Sequence, residues 1–194
     1  MNLFQELRFL LDISRSHRIA RRYFVTNGFD GALAMLGLTM GFYITDAVAV
    51  STVLNACMGT AIALMMSGLL SAYISEAAER QKELHELEQA MVTNLAHSAH
   101  GKAARLIPLL IALVNGGSPF FIALLIISPL WLNQYGVVLP LGPLETSIAV
   151  AFGIIFLLGV FLGKISGTFW LWTGLRTLAI AVITGLLILL LQAG

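Results

Sequence analysis

The chain alternates between long apolar stretches and short polar ones. Five stretches approach the roughly 20 apolar residues that a helix needs to cross a bilayer core. They cover residues 24–47, with one internal charge, Asp30; 51–75 and 106–132, with none; 146–161 or slightly beyond, with Lys164 near the end; and 169–191, which carries Arg176. The runs are continuous and do not alternate residue by residue, so they predict helices and not barrel strands. The expected fold is an all-α polytopic membrane protein with five transmembrane helices, over residues 24–194. Ahead of it, Leu3, Leu7, Leu10 and Leu11 recur at about helical spacing among charged residues. They predict an amphipathic helix over residues 1–23, lying on the membrane surface or packed as a solvated helix on the rest of the domain. With no apolar core of its own, this segment is not a cleavable signal peptide.

Composition agrees. Of 194 residues, 58% are hydrophobic and 11% charged, against about 25% charged in a soluble domain. The mean hydropathy is +0.90. A net charge of +1 gives no basic field for nucleic acid, and a single cysteine, Cys57, excludes a disulfide framework, Cys-rich zinc sites and iron–sulfur ligation. There is no phosphate-binding Walker loop, no GxSxG and no HExxH, so no enzyme is expected. The pair Asp30 and Asp46 does not make an intramembrane phosphatidyl-transferase, because some 24 Å of helix separates them.

The basic residues set an expected orientation. Arg8, Arg15, Arg18, Arg21 and Arg22 precede the first stretch, and Arg80, Lys82, Lys102 and Arg105 lie between the second and third. Lys164 and Arg176 flank the link between the fourth and fifth. All 11 Lys and Arg therefore fall on one side, while the opposite loops hold Asp46 and Glu145. By the positive-inside rule the N-terminus is cytoplasmic and the C-terminus outside. Trp170 and Trp172 suit the inner interface, Trp131 and Tyr135 the outer.

Asp30 stands roughly 9 Å along the helix from Phe24, and an acid at that depth is a functional-site candidate. Ala34, Gly37 and Gly41 follow it on one face, which predicts close helix approach and an acid pointing into the bundle. The structural alternative is a pair with Arg176. Met65 and Met66, midway along the second stretch, are soft ligand candidates or ordinary packing. Gly116-Gly117-Ser118-Pro119 predicts a break or a kink in the third helix. Gly159, Gly163 and Gly167 offer a small-residue face for a second copy or for packing within the chain.

The second helix is expected to run on into the cytoplasm, since residues 71–91 hold neither Gly nor Pro. Glu76, Glu79, Glu83 and Glu86 fall on one stripe, with Arg80 and Lys82 off it and Glu88 adding a fifth carboxylate. Like charges so spaced destabilise a helix unless neutralised. A divalent cation would do that; the bland reading is a solvated charge run with Arg80 and Lys82 as partners. Residues 76–104 form the acidic cytoplasmic segment.

Together these features resemble the vacuolar iron transporter family, in a divergent prokaryotic branch. The resemblance runs from Asn27 to about Leu191. It rests on Asn27-Gly28-Phe29-Asp30-Gly31 with Gly37 and Gly41, on Tyr73-Ile74-Ser75 leading into Glu76–Glu88, and on Trp170, Trp172 and Gly174-Leu175-Arg176. It implies a homodimer that exports Fe²⁺ or a related divalent ion such as Mn²⁺ from the cytosol in exchange for protons. The cytoplasmic glutamates would capture the ion, Asp30 would bind it within the membrane, and no resident cofactor is implied. Ala72 stands where better-known members carry a pore-facing Glu. The competing expectation is a non-transporting membrane protein whose acidic helix docks a partner or senses metal.

Overall fold

A computed structural model describes residues 16–45 and 48–192. Leu3, Leu7, Leu10 and Leu11 of the predicted N-terminal helix, and Asp46, lie outside that range. Five helices follow one another: α1 (Ser16–Ile44), α2 (Val50–Met91), α3 (Ala99–Gln134), α4 (Pro143–Ser166) and α5 (Trp170–Gln192). The predicted boundary at residue 23 falls inside α1, which is helical from Ser16 onward. Four of the helices, α2 to α5, are long and apolar enough to cross a membrane. α1 is long enough but is not among them: Asn27, Asp30 and four glycines interrupt its apolar run. The multi-pass membrane reading therefore stands on four helices, one fewer than expected.

Large apolar side chains point outward all along these helices. Leu70 on α2, Phe121 on α3, Leu157 on α4 and Leu190 on α5 are each more than 60% exposed. Such a surface would aggregate in water and is what a lipid-facing surface requires.

The helix ends follow local chemistry. α4 opens with Gly142 at its N-cap, Pro143 in the first turn and Glu145 beside it, where a missing N–H costs nothing and a carboxylate suits the helix dipole. It closes with Lys164 in its last turn and Gly167 at φ 70°, a left-handed cap whose N–H returns to the Gly163 carbonyl. Gly167 is thus the cap and not part of a packing face.

The chain forms two compact units, and α1, α2 and α3 each contribute to both. One unit comprises residues up to Phe24 with Met65–Gly117. In it Ala103, Ile107 and Ile111 form a buried stripe on α3, against Ile19 and Tyr23 of α1. Gly68 of α2 meets Gly116 of α3 so closely that a methyl group on Gly68 would lie 3.0 Å from the Gly116 Cα; one on Gly116 would strike the Met65 carbonyl. Asn115 donates its side-chain N–H to the Gly68 carbonyl at 2.8 Å, across the same contact.

The other unit comprises Val25–Leu64 and Ser118–Gly194. Its core includes Ala32, Met35, Leu36, Val53, Cys57, Ile126, Ile127, Leu130 and Ile155. Gly31 of α1 lies against the Pro119 backbone, with 2.7 Å left for a Cβ, and Gly28 faces Ser118 and Leu158. Gly159 and Gly163 of α4 are buried against Gly174, Thr177, Trp170 and Thr173 of α5. The α4 glycines therefore serve packing within the chain and are not a face for a second copy. α3 is helical without interruption through Gly116, Gly117 and Pro119, so of the expected break or kink the break is absent. Pro119 removes one N–H from the ladder, yet its ring and backbone fill the space opposite Gly31.

Candidate functional site

The sequence-predicted residues fall in two places. The first is the middle of α1. The positions that pack are Gly28, Gly31, Ala32, Met35 and Leu36, all buried. Asp30 lies off that set and is exposed, with Ala34, Gly37 and Gly41 half-buried on its side of the helix. A Cβ on Gly37 would meet nothing nearer than Ile188 at 3.9 Å. The expectation of an inward-pointing acid is corrected: the glycines that bring α1 close to its neighbours are Gly28 and Gly31, and they turn Asp30 outward. Nor is Asp30 paired with Arg176: the Arg176 guanidinium instead sits 5.3 Å from the Trp172 ring centre.

The second place is the C-terminal half of α2, one helix of 42 residues. At 1.5 Å per residue it is about 63 Å long, twice a bilayer core. Glu76 is 3% exposed and Arg80 9%. Arg80 bridges two acids: Nη1 donates to Glu83 Oε2 at 2.8 Å, and Nη2 lies 3.7 Å from Glu76 Oε2. Lys82 lies 3.8 Å from Glu86. Glu88 accepts the Leu95 N–H at 2.8 Å and so secures the turn between α2 and α3. Glu79 is exposed. Arg80 and Lys82 are the ion-pair partners of the acidic stripe, as the solvated-charge-run reading expects, at the i+3 and i+4 spacings that bring helical side chains together.

Burial raises the Glu76 carboxyl above the ordinary carboxylate range. Arg80 pulls it back down, Glu79 and Glu83 push it up, and Arg22 lowers it slightly. Oε2 of Glu76 is buried without a hydrogen bond, which fits a carboxyl reluctant to ionise.

No group of three or more His, Cys, Asp or Glu side chains among the described residues is gathered closely enough to hold a metal ion. Met65 is half-buried and Met66 is 55% exposed, on adjacent positions about 100° apart around α2. Met35 is fully buried in the core. Ala72, in the place of the expected pore acid, is buried at 4%.

No known family's sequence profile matches the chain, and no solved structure matches it. An uncharacterised protein of the archaeon Methanocaldococcus jannaschii is 27% identical over 174 residues, which cover 88% of this chain and 87% of that protein. The similarity therefore extends over most of the chain and is not confined to one motif.

Proposed function

We propose that the protein is a secondary transporter that exports a divalent cation, Fe²⁺ or Mn²⁺, from the cytosol in exchange for protons, and that it works as a homodimer. The observation that supports this most is Asp30: a carboxylate in an otherwise uncharged stretch of α1, exposed on the chain's own surface, with no ion pair to a described residue. A charged acid facing hydrocarbon costs about 2.5–3.5 kcal/mol. A second copy of α1 laid along Ala34, Gly37 and Gly41 removes that exposure. A two-fold axis near this face brings the two Asp30 carboxylates together. Such a pair holds one divalent cation, or shares a proton when the ion leaves, because two like charges at close range cannot both persist. Carboxylate oxygen suits Mn²⁺ and Fe²⁺.

In this reading α1 is the fifth span, the N-terminus is cytoplasmic and the C-terminus outside. Glu76, Glu79, Glu83, Glu86 and Glu88 then project into the cytoplasm, where an arriving ion displaces the Arg80 guanidinium from Glu76 and Glu83. The test is ion flux into proteoliposomes loaded with a metal-sensitive dye. Flux by the wild type and none by Asp30→Asn supports the reading; equal flux by both removes it.

A second reading has its own support. Arg80 and Lys82 already neutralise much of the acidic stripe, as they would in a non-transporting membrane protein whose long α2 docks a partner. Absence of flux from the wild type itself would favour it.

A further inference from the structure

On the unit that contains α4 and α5, an apolar groove of about 200 Å³ opens onto the surface beside α1. Phe29 and Leu33 of α1, Ile155 of α4, and Thr177 and Ile180 of α5 line it. It exists because α1 and α5 touch elsewhere: Met40 meets Gly185, and Gly37 approaches Ile188, two to three turns further along. The polar side chain among its lining residues, Thr177, donates its Oγ1 hydroxyl within the protein, to the Gly174 carbonyl at 2.9 Å or the Ile155 carbonyl at 3.2 Å. A hollow of this size lined by Phe, Leu and Ile stays dry and takes an apolar occupant.

The rim tells what that occupant carries. Arg176 is exposed and lies one turn before Ile180, on the same side of α5. One turn is about 5.4 Å along the axis, toward the helix end marked by Trp170 and Trp172. Aromatic residues of this kind sit at headgroup level, which puts the groove at the depth of the first acyl carbons. The Arg176 guanidinium lies over the Trp172 ring, 5.3 Å from its centre. Its in-plane N–H donors are left for an acceptor such as phosphate.

We propose that this groove holds one acyl chain of a membrane phospholipid whose phosphate is bound by Arg176. The site is independent of Asp30 and of any transport activity. The full chain, purified in mild detergent, is titrated with phosphatidylglycerol, phosphatidylethanolamine and phosphate-free diacylglycerol, and bound lipid is counted by native mass spectrometry. Both phospholipids should add one tight equivalent, and diacylglycerol should bind at least tenfold more weakly. Arg176→Gln, at an exposed position that the fold does not need, should weaken phospholipid binding five- to twentyfold. Lys164→Gln, a basic residue away from the groove, should leave it unchanged. Leu33→Trp, which fills the groove, should abolish the tight equivalent, with helical content checked by circular dichroism. Diacylglycerol binding as tightly as phospholipid, or an Arg176→Gln variant that binds as the wild type does, overturns the proposal; so does the absence of any tight equivalent.

Discussion

At the residue scale, two acids in different surroundings predict different behaviour on substitution. Asp30 is exposed and has no ion pair among the described residues, so Asp30→Asn should leave thermal stability unchanged or raise it, since a charge facing hydrocarbon is removed, while it eliminates metal flux. Loss of stability by several kcal/mol would instead reveal a buried pair within the assembled protein. Glu76 is the opposite case. Its folded-state pKa is raised by burial, so the native state holds its proton at pH values where the unfolded chain has released it. Stability contributed by this group is therefore present at low pH. It is lost as the pH rises from the ordinary carboxylate range through the raised value. Glu76→Gln should flatten that segment of the pH–stability profile, read as the melting temperature in detergent at successive pH values. An unchanged slope would assign it to another carboxylate.

At the element scale, the contacts between helices rest on a few glycines whose roles differ. Gly31→Ala and Gly116→Ala each place a methyl group into backbone, of Pro119 and of Met65 respectively, and should cost about 1–3 kcal/mol of stability. Gly37→Ala has open space and should be neutral, or stabilising by up to about 1 kcal/mol in the isolated chain. Equal melting temperatures for all three variants would show that the close approaches relax without cost. The same glycines show what was legible in the sequence. The helices themselves were, because long apolar runs and the absence of Gly or Pro through residues 71–91 depend on local chemistry alone. Which glycine set faces the neighbouring helices was not. Two sets stand on α1, Gly28 with Gly31 and Gly37 with Gly41, and periodicity does not rank them. The choice depends on the shape of Ser118 and Pro119, residues far away in the chain. The pairing of Arg80 with Glu76 and Glu83 was legible as the solvated-charge-run reading, since its spacings are plain in the sequence; the burial of Glu76 and Arg80 was not, because it depends on packing. The αL cap at Gly167 was likewise hidden by counting glycines at intervals of four.

At the scale of the whole molecule, the number of spans and the state of assembly are both decided by α1. If α1 crosses the membrane beside α2 to α5, the chain ends lie on opposite sides. A reporter fused after Gly194 should then read outside the cytoplasm while one in the Thr93–His100 segment reads inside. If α1 does not cross, those two reporters report the same pair of sides, but one fused ahead of Met1 moves to the side of Gly194. Crossing also creates the problem that assembly solves. An α1 within hydrocarbon leaves the exposed Asp30 facing lipid on a flank of half-buried Ala34, Gly37 and Gly41. Small residues let two helices approach closely enough for a disulfide, which needs Cα atoms within about 7 Å. The one native cysteine, Cys57, is fully buried, so a cysteine introduced by substitution reports alone. Oxidation in native membranes should join Gly37→Cys into a covalent dimer, and likewise Ala34→Cys. Leu125→Cys, on an exposed apolar face of α3, should remain monomeric. Cross-linking of Leu125→Cys in preference to Gly37→Cys would place the second copy elsewhere. Asp30 would then face lipid in the assembled protein, and the proposed two-carboxylate site would not form.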